Sequence, residues 1–362
     1  ALNKKCLQHA CQYQDATGQY RCPKWVDVNS QGTYKPSYNI SPRSYNPVLL
    51  SNSLLPAGKR ARREEAEDSA VIMTAMRWGL VPSWHTGDPR NFLFNTVNCR
   101  VEGCIGRRSF KGAITAGQRC VVPAEGFFEW LKEDKSSRQP YMVYFRQPKG
   151  VSMAVRTWDG VRDAHELMRD GHWAGPRLLT MAGLFDVSRC EDDLYSFTIL
   201  TMESPRYLQW LHDRVPVILD GEDAIAEWLD PNNNFERLTR SLHCPKDLEW
   251  HPVSSVVGNV TNNSVQCVLP LSKTAVKKEK QTSIEQWFKH EPRSVTKPAK
   301  ELKRSRSRSP VHSAPGPSRQ RSKSPSGRGS RSRSKSQSPR RQKSKLGRSS
   351  RSRSRSGSRK RD

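Results

Sequence analysis

What most limits the fold of this 362-residue chain is a break in composition at Lys273. Residues 301–362 hold 22 Lys or Arg against two Asp or Glu, and residues 273–300 hold eight against three. Those segments carry +20 and +5 of the formal net charge of +27, which leaves +2 for residues 1–272. A run of Lys, Ser, Pro and Arg buries too little apolar surface to offset the entropy of ordering its backbone, so the chain from Lys273 onward is expected to be disordered. What can fold is a nearly neutral segment of a size that one hydrophobic core sustains. Nucleic-acid binding by that segment would need a local basic cleft.

Within it, short β-branched or aromatic runs separated by Gly, Pro or charged loops predict strands at 71–80, 92–98, 119–123, 127–131, 141–145, 151–155, 177–185, 195–202, 217–219 and 250–257. Residues 36–50, rich in Pro and Asn, read as a loop leading into a strand. A short helix is predicted within 1–14, where Leu7, Ala10 and Cys11 share a face. Ser204-Pro205 offers an N-cap residue and a proline at the first helical position, predicting a helix that ends near Arg214, just before Val215-Pro216. Further helices are expected from a cap at Asp220 to Leu229 and over 234–243. The charged stretch 159–176 reads as a surface insertion. The sum is one α+β domain with a strand-rich core.

Chemistry concentrates in Arg119-Cys-Val-Val-Pro-Ala-Glu-Gly-Phe-Phe-Glu-Trp130, an apolar strand, a Gly-containing turn and an aromatic strand carrying Glu129. Turned inward between Phe128 and Trp130, Glu129 would lose hydration, which raises a carboxyl pKa toward the range where it both gives and takes a proton. The alternative is that strand alternation sends Glu129 to solvent while Phe128 and Trp130 pack inward.

Three more stretches stand in order around it: Met76-Arg-Trp-Gly-Leu-Val-Pro-Ser-Trp84, Phe94-Asn-Thr-Val-Asn-Cys-Arg100 and Leu211-His-Asp-Arg-Val-Pro216. Together the four closely resemble the SRAP (SOS response-associated peptidase) family, over nearly all of residues 1–272. The resemblance implies a strand-rich, barrel-like core with flanking helices. It also implies a sensor of abasic sites in single-stranded DNA. Family members begin, after the initiator Met, with a cysteine whose α-amine and thiol capture the aldehyde of an opened deoxyribose as a thiazolidine. An amine alone gives a hydrolysable imine; a thiol two bonds away closes a five-membered ring in a nearly unimolecular step.

Carried over by motif, Asn98 would orient the N-terminal amine, Glu129 would shuttle protons and His212 would donate to the sugar oxygen. Arg100 and Arg214 would grip flanking phosphates as forked donors. Trp84, with Asn39 and Pro42, would line the strand and splay its bases. Taken singly, each has a plainer explanation: a turn residue for Asn98, a surface charge for Arg100, a helix C-terminal residue for His212, a core side chain for Trp84. No metal or cofactor is implied, and the domain is expected to be monomeric. This chain opens Ala1-Leu-Asn-Lys-Lys-Cys6, which matches the family a short way downstream of its cysteine. The expectation is that the first residues are missing and that neither Cys6 nor Cys11 can substitute, because a backbone amide is not a free amine. An autoprocessing cysteine peptidase is the overlapping alternative.

Gln281-Thr-Ser-Ile-Glu-Gln-Trp-Phe288 fits the pattern of peptides that dock on the replication sliding clamp, PCNA. Gln281 would anchor beside a hydrophobic pocket filled by Ile284, Trp287 and Phe288 from one tight turn. Residues 304–362 are an Arg-Ser tract, a polycation that binds RNA or DNA by counterion release until serine phosphorylation, as by SR-protein kinases, reverses its charge balance. Such tracts accompany nuclear RNA-processing proteins, which makes an RNA-processing role the third reading and a nuclear location the expectation. Lys59-Arg-Ala-Arg-Arg63 is a short nuclear-localisation candidate. Nine cysteines without a CxxC pair favour a reduced compartment over a disulfide scaffold. Cys6, His9, Cys11 and Cys22 match no common zinc spacing. No apolar run reaches the ~20 residues that cross a bilayer.

Overall fold

The computed structural model describes residues 1–272 apart from 16, 31, 60–69, 93, 133–137 and 190–192. The clamp-docking motif at 281–288, the Arg-Ser tract and most of the basic run at 59–63 lie outside the described residues. Contacts divide the chain into Ala1–Ser294 and Val295–Asp362, and every described residue belongs to the first unit.

Helix α1 (Lys4–Ala10), capped by Asn3, leads to a hairpin of β1 (Tyr13–Gln14) and β2 (Tyr20–Arg21) and to β3 (Lys24–Trp25). Strands β4 (Tyr45–Ser51) and β5 (Val71–Trp78) follow, then the short β6 (Asn98–Arg100), helix α2 (Arg108–Thr115) and β7 (Arg119–Ala124). β8 (Phe127–Lys132) and β9 (Arg138–Phe145) form a hairpin. After a small hairpin of β10 (Met168–Arg169) and β11 (His172–Trp173) come the two longest strands, β12 (Leu179–Ser188) and β13 (Leu194–Glu203). The described segment ends with β14 (Arg214–Pro216), α3 (Glu222–Leu229), α4 (Phe235–Ser241) and β15 (Leu248–Pro252).

Five of these strands close on themselves. β13 pairs β12, β12 pairs β7, β7 pairs β4 and β4 pairs β5, all antiparallel; β5 then returns to β13 in parallel through Ser196–Arg77 and Phe197–Trp78. Closure removes sheet edges, which would otherwise expose unpaired backbone groups. Alternate residues along these strands sort into two clusters. Leu49, Met73, Val121 and Leu184 pack with Phe110, Trp228 and Leu238 of the helices. Leu50, Ile72, Val122 and Phe185 point the other way, into a cluster that contains no helix residue, fills the barrel and continues to Val143 and Leu248. The strands therefore read as near-continuous apolar runs because both of their faces are covered. A separate three-stranded sheet, β15-β9-β8, carries Glu129.

The α+β class and barrel-like core expected from the sequence are what the chain adopts, with several local exceptions. The predicted helix from Ser204 to Arg214 is a set of turns: the amide of Leu208 donates to Pro205 O and those of Leu211 and His212 to Leu208 O. A helix there would prevent β14 from folding back on β13, where Met202 faces Val215 and Glu203 faces Arg214, so sheet pairing overrides the capping signal. Of the predicted strand at 92–98, the described residues Phe92 and 94–97 are a loop leading into β6 at Asn98, held where Thr96 Oγ1 donates to Leu80 O at 2.6 Å. The predicted strand at 151–155 is a turn, with Arg156 in the left-handed region at φ 51°. β15 stops at Pro252, which cannot donate to a ladder, and Ser254 caps a 3-10 turn in place of the predicted strand to 257. Residues 217–219 form a single bridge at Ile218, and Gly221, at φ 91°, is the N-cap of α3 in place of Asp220.

Candidate functional site

Glu129 follows from strand alternation. Phe128 and Trp130 pack against the helix-side core, so Glu129 points to the opposite face, one-quarter exposed, into an open cleft of about 1060 Å3. Phe128 and Trp130 thus pack inward as alternation requires, while Glu129 shares its face with Phe127 and Leu131, which pack against the barrel cluster, and is the carboxylate of that face that meets the cleft. The amide of Trp130 donates to Glu129 Oε1 at 3.1 Å, and His212 Nδ1 lies 3.8 Å from Oε2. His212 reaches Glu129 because the 205–212 turns end at β14. The amide of Arg214 donates to the same Nδ1 at 3.1 Å, and Asp213 Oδ1 lies 3.2 Å from it. At 3.8 Å the carboxylate and the imidazole stand side by side without a hydrogen bond between them, two proton-exchanging groups in a partly solvated site.

β6 supplies the facing wall. Its pairing with β13 sets Asn98 opposite Ile199 and Arg100 opposite Thr201, and alternation turns both toward the cleft while Cys99 is buried. Arg214 approaches Thr201 from the other side, donating through Nη2 to Thr201 O at 2.6 Å. Its fork is also closed on Glu102, with Nη1 to Oε1 at 2.8 Å and Nη2 to Oε2 at 2.9 Å. That hydrogen-bonded cation holds the Glu102 carboxyl below its usual range. Arg100 forms no ion pair with a described residue. The cleft lining thus includes Arg100 and Arg107, neither ion-paired with a described residue, and Arg214, clamped by an acid.

Asn39 and Pro42 lie on the cleft wall. The Asn39 amide, however, is spent on the protein: Nδ2 sits 3.0 Å from Val257 O, 3.0 Å from Asn259 O and 3.1 Å from Asn262 O, fastening the 36–42 loop to the 257–263 loop. Trp84 does not line this cleft. Its indole donates to Arg108 O at 3.3 Å, lies 4.3 Å beneath the Arg108 guanidinium and meets Phe92 edge-on. So Asn39, Pro42, Asn98, Arg100, Glu129, His212 and Arg214 converge, and Trp84 stands apart with the exposed Phe94.

Ala1 also lines the cleft. Its amine is 2.8 Å from Asp159 Oδ1, and Asp159 accepts from the buried Arg156, which also pairs with Glu125 on the cleft wall. Burial works against ionising Asp159, and its hydrogen bonds from Arg156 and the Ala1 amine outweigh that, leaving the carboxyl below its usual range. Sequence reasoning missed this network and Glu102. Glu125 stands four residues before Glu129 in the same stretch, but nothing local distinguishes its partner Arg156 from a surface charge. Among the described residues no group of three or more His, Cys, Asp or Glu could hold a metal ion, and no helix is long and apolar enough to cross a membrane.

Comparison with known proteins gives this geometry a family. Residues 5–260 match the model described as SOS response associated peptidase (SRAP). The chain is 40% identical over 295 residues to the abasic site processing protein HMCES of Pongo abelii, covering 78% of this chain and 77% of that one. It is likewise 40% identical over 283 residues to HMCES of Mus musculus, covering 77% and 76%. The abasic site processing protein YoaM of Bacillus subtilis is 27% identical over 241 residues, covering 65% of this chain and 86% of its own. With most of its length matched and residues of all four motifs lining one cleft, the first represented by Trp78, the chain belongs to the SRAP family.

Proposed function

We propose that this protein processes abasic sites in single-stranded DNA, holding the lesion in the cleft and capturing its aldehyde covalently. What carries the reading is the convergence of Asn98, Arg100, Glu129 and His212, from three separate segments, on a cleft that Ala1 also lines. The names of its relatives point the same way. In this reading an N-terminal cysteine ahead of Ala1 condenses its amine with the sugar aldehyde, releasing water. Its thiol then adds to the imine carbon and the thiol proton passes to nitrogen, closing a thiazolidine. Asn98 orients the amine, Glu129 moves the protons, and His212 donates to the sugar oxygen and holds the ring open. Arg100 takes a phosphate directly. Self-cleavage that exposes the cysteine amine is the peptidase step this reading assigns.

The test is a chain carrying an N-terminal cysteine ahead of Ala1, mixed with a single-stranded oligonucleotide bearing either an abasic site or its tetrahydrofuran analogue, which has no aldehyde. A heat-stable adduct on a denaturing gel with the first and none with the second is expected. Equal adduct with both, or none with either, would sink the reading. The chain beginning at Ala1 is expected to bind both oligonucleotides and to leave no adduct.

Arg214 serves the same reading only if Glu102 yields its fork to a phosphate. Glu102→Gln is therefore expected to tighten single-stranded DNA binding about two- to fivefold near 0.1 M salt, the scale of an exposed ion pair. A weaker complex would show that the Arg214–Glu102 pair is itself the binding form.

The proposal extends to a nuclear protein at replication forks, brought there by Gln281, Ile284, Trp287 and Phe288 docking on the PCNA clamp. Replacing Trp287 and Phe288 with Ala is expected to abolish capture by immobilised clamp, since two buried aromatics dominate such contacts; undiminished capture would remove the motif from the account. The Arg-Ser tract would add salt-sensitive RNA or DNA contacts, switched by kinases that phosphorylate its serines.

A further inference from the structure

Beside the cleft lies an aromatic ledge that none of the motifs predicts. Tyr141 on β9 is register-opposite Glu129 on β8 and Pro252 on β15, so these side chains share one face of the three-stranded sheet. Trp250, two residues before Pro252, lies on that face as well. Trp210 covers it from the turn that delivers His212. Its ring centroid is 5.1 Å from that of Tyr141 in an edge-on contact and 5.7 Å from that of Trp250. Trp210 is 40% exposed and Trp250 36% exposed, although large aromatics ordinarily gain by burial. The exposure is not loose packing. Leu208 and Leu211, on either side of Trp210, are buried, and the turn is fixed by the amides of Leu211 and His212 donating to Leu208 O.

The ledge starts one strand from Glu129 and two residues from His212, and leads away from them. Neighbouring strands lie about 5 Å apart, so its far edge is about one to two nucleotides from Glu129 and His212. Glu249, next to Trp250, would repel a phosphate but is held by Arg146 at 3.0 Å. Arg206, on the same turn as Trp210, is exposed. None of the three rings lines the cleft itself, but they stand on the sheet face that carries Glu129, and rigid, exposed rings there suit nucleobases, which stack on aromatics regardless of sequence.

We propose that the Tyr141–Trp210–Trp250 ledge stacks the unpaired bases on one side of the lesion, extending the single-strand footprint beyond the cleft; this rests on the reading of the cleft as a single-stranded DNA site. The full chain would be titrated at fixed salt with oligonucleotides carrying one tetrahydrofuran residue and zero to six nucleotides on either flank, by fluorescence anisotropy. Wild-type affinity should rise as one flank lengthens over its first few nucleotides and then level off. The variant with both Trp210→Ala and Trp250→Ala should lose that rise, binding the longer oligonucleotides about five- to a hundredfold more weakly and the shortest as well as wild type. Trp210→Phe with Trp250→Phe should restore most of it. A double-Ala variant that keeps the rise, or weakens equally at every length, overturns the ledge. A wild-type rise with no preference for the analogue over an intact strand upholds the ledge and counts against the lesion reading.

Discussion

Glu129→Gln, in a chain carrying the N-terminal cysteine, is expected to slow adduct formation on an abasic oligonucleotide by about a hundred- to ten-thousandfold, the usual worth of a positioned acid–base group. Affinity for the tetrahydrofuran analogue should stay within about twofold, because the replaced atoms move protons and do not grip the strand. The amide keeps the shape of the side chain and can still accept the Trp130 amide now donating at 3.1 Å, so the local fold is preserved. What it loses is the carboxylate that faces His212 Nδ1 at 3.8 Å. Single-turnover rates from a quenched time course decide the matter. A variant as fast as the parent would move the proton transfers to His212 or to water and leave Glu129 a structural role.

The largest stability effect is expected at Trp228→Ala. Trp228 in α3 is 1% exposed and among the largest fully buried side chains. Its indole donates to Cys120 O on β7 at 3.0 Å, and the Arg119 guanidinium lies 5.8 Å from its ring centre while Nε donates to Trp228 O at 2.6 Å. Truncation empties a site walled by a barrel strand, which cannot collapse to fill it, so the cost should fall at about 3–5 kcal/mol. For a domain of this size that lowers Tm by on the order of 10 °C. A urea titration should show the midpoint falling at constant slope. A loss below about 1 kcal/mol would mean that α3 is not held to the barrel through this residue.

The parts of the fold legible in the sequence share a physical reason. β5, β7, β12 and β13 are long runs whose residues are apolar on both faces, and α4 announces itself with Asn234, whose Oδ1 accepts from the Arg237 amide at 2.9 Å. Local composition decides such elements. Misreadings came where a distant partner decides. Ser204-Pro205 is a sound helix start by its own chemistry, yet β13 offers the following residues a ladder and the helix never forms. The 92–98 run carries strand-like residues, but Leu80 and Thr96 exchange the hydrogen bonds that would have joined it to a sheet.

The same division runs through the site. The sequence by itself determined which residue types are present and in what order: an amide, a carboxylate, an imidazole and two guanidinium groups in four motifs, ahead of a polycationic tail. Only tertiary structure decided that Glu129 and His212, 83 positions apart, face each other, that Glu102 occupies the Arg214 fork, that Asn39 fastens two loops and that Trp84 stands outside the cleft. Residue identity sets the chemistry a position can perform, while barrel closure, through pairings between strands remote in the chain, sets which of those positions share a space.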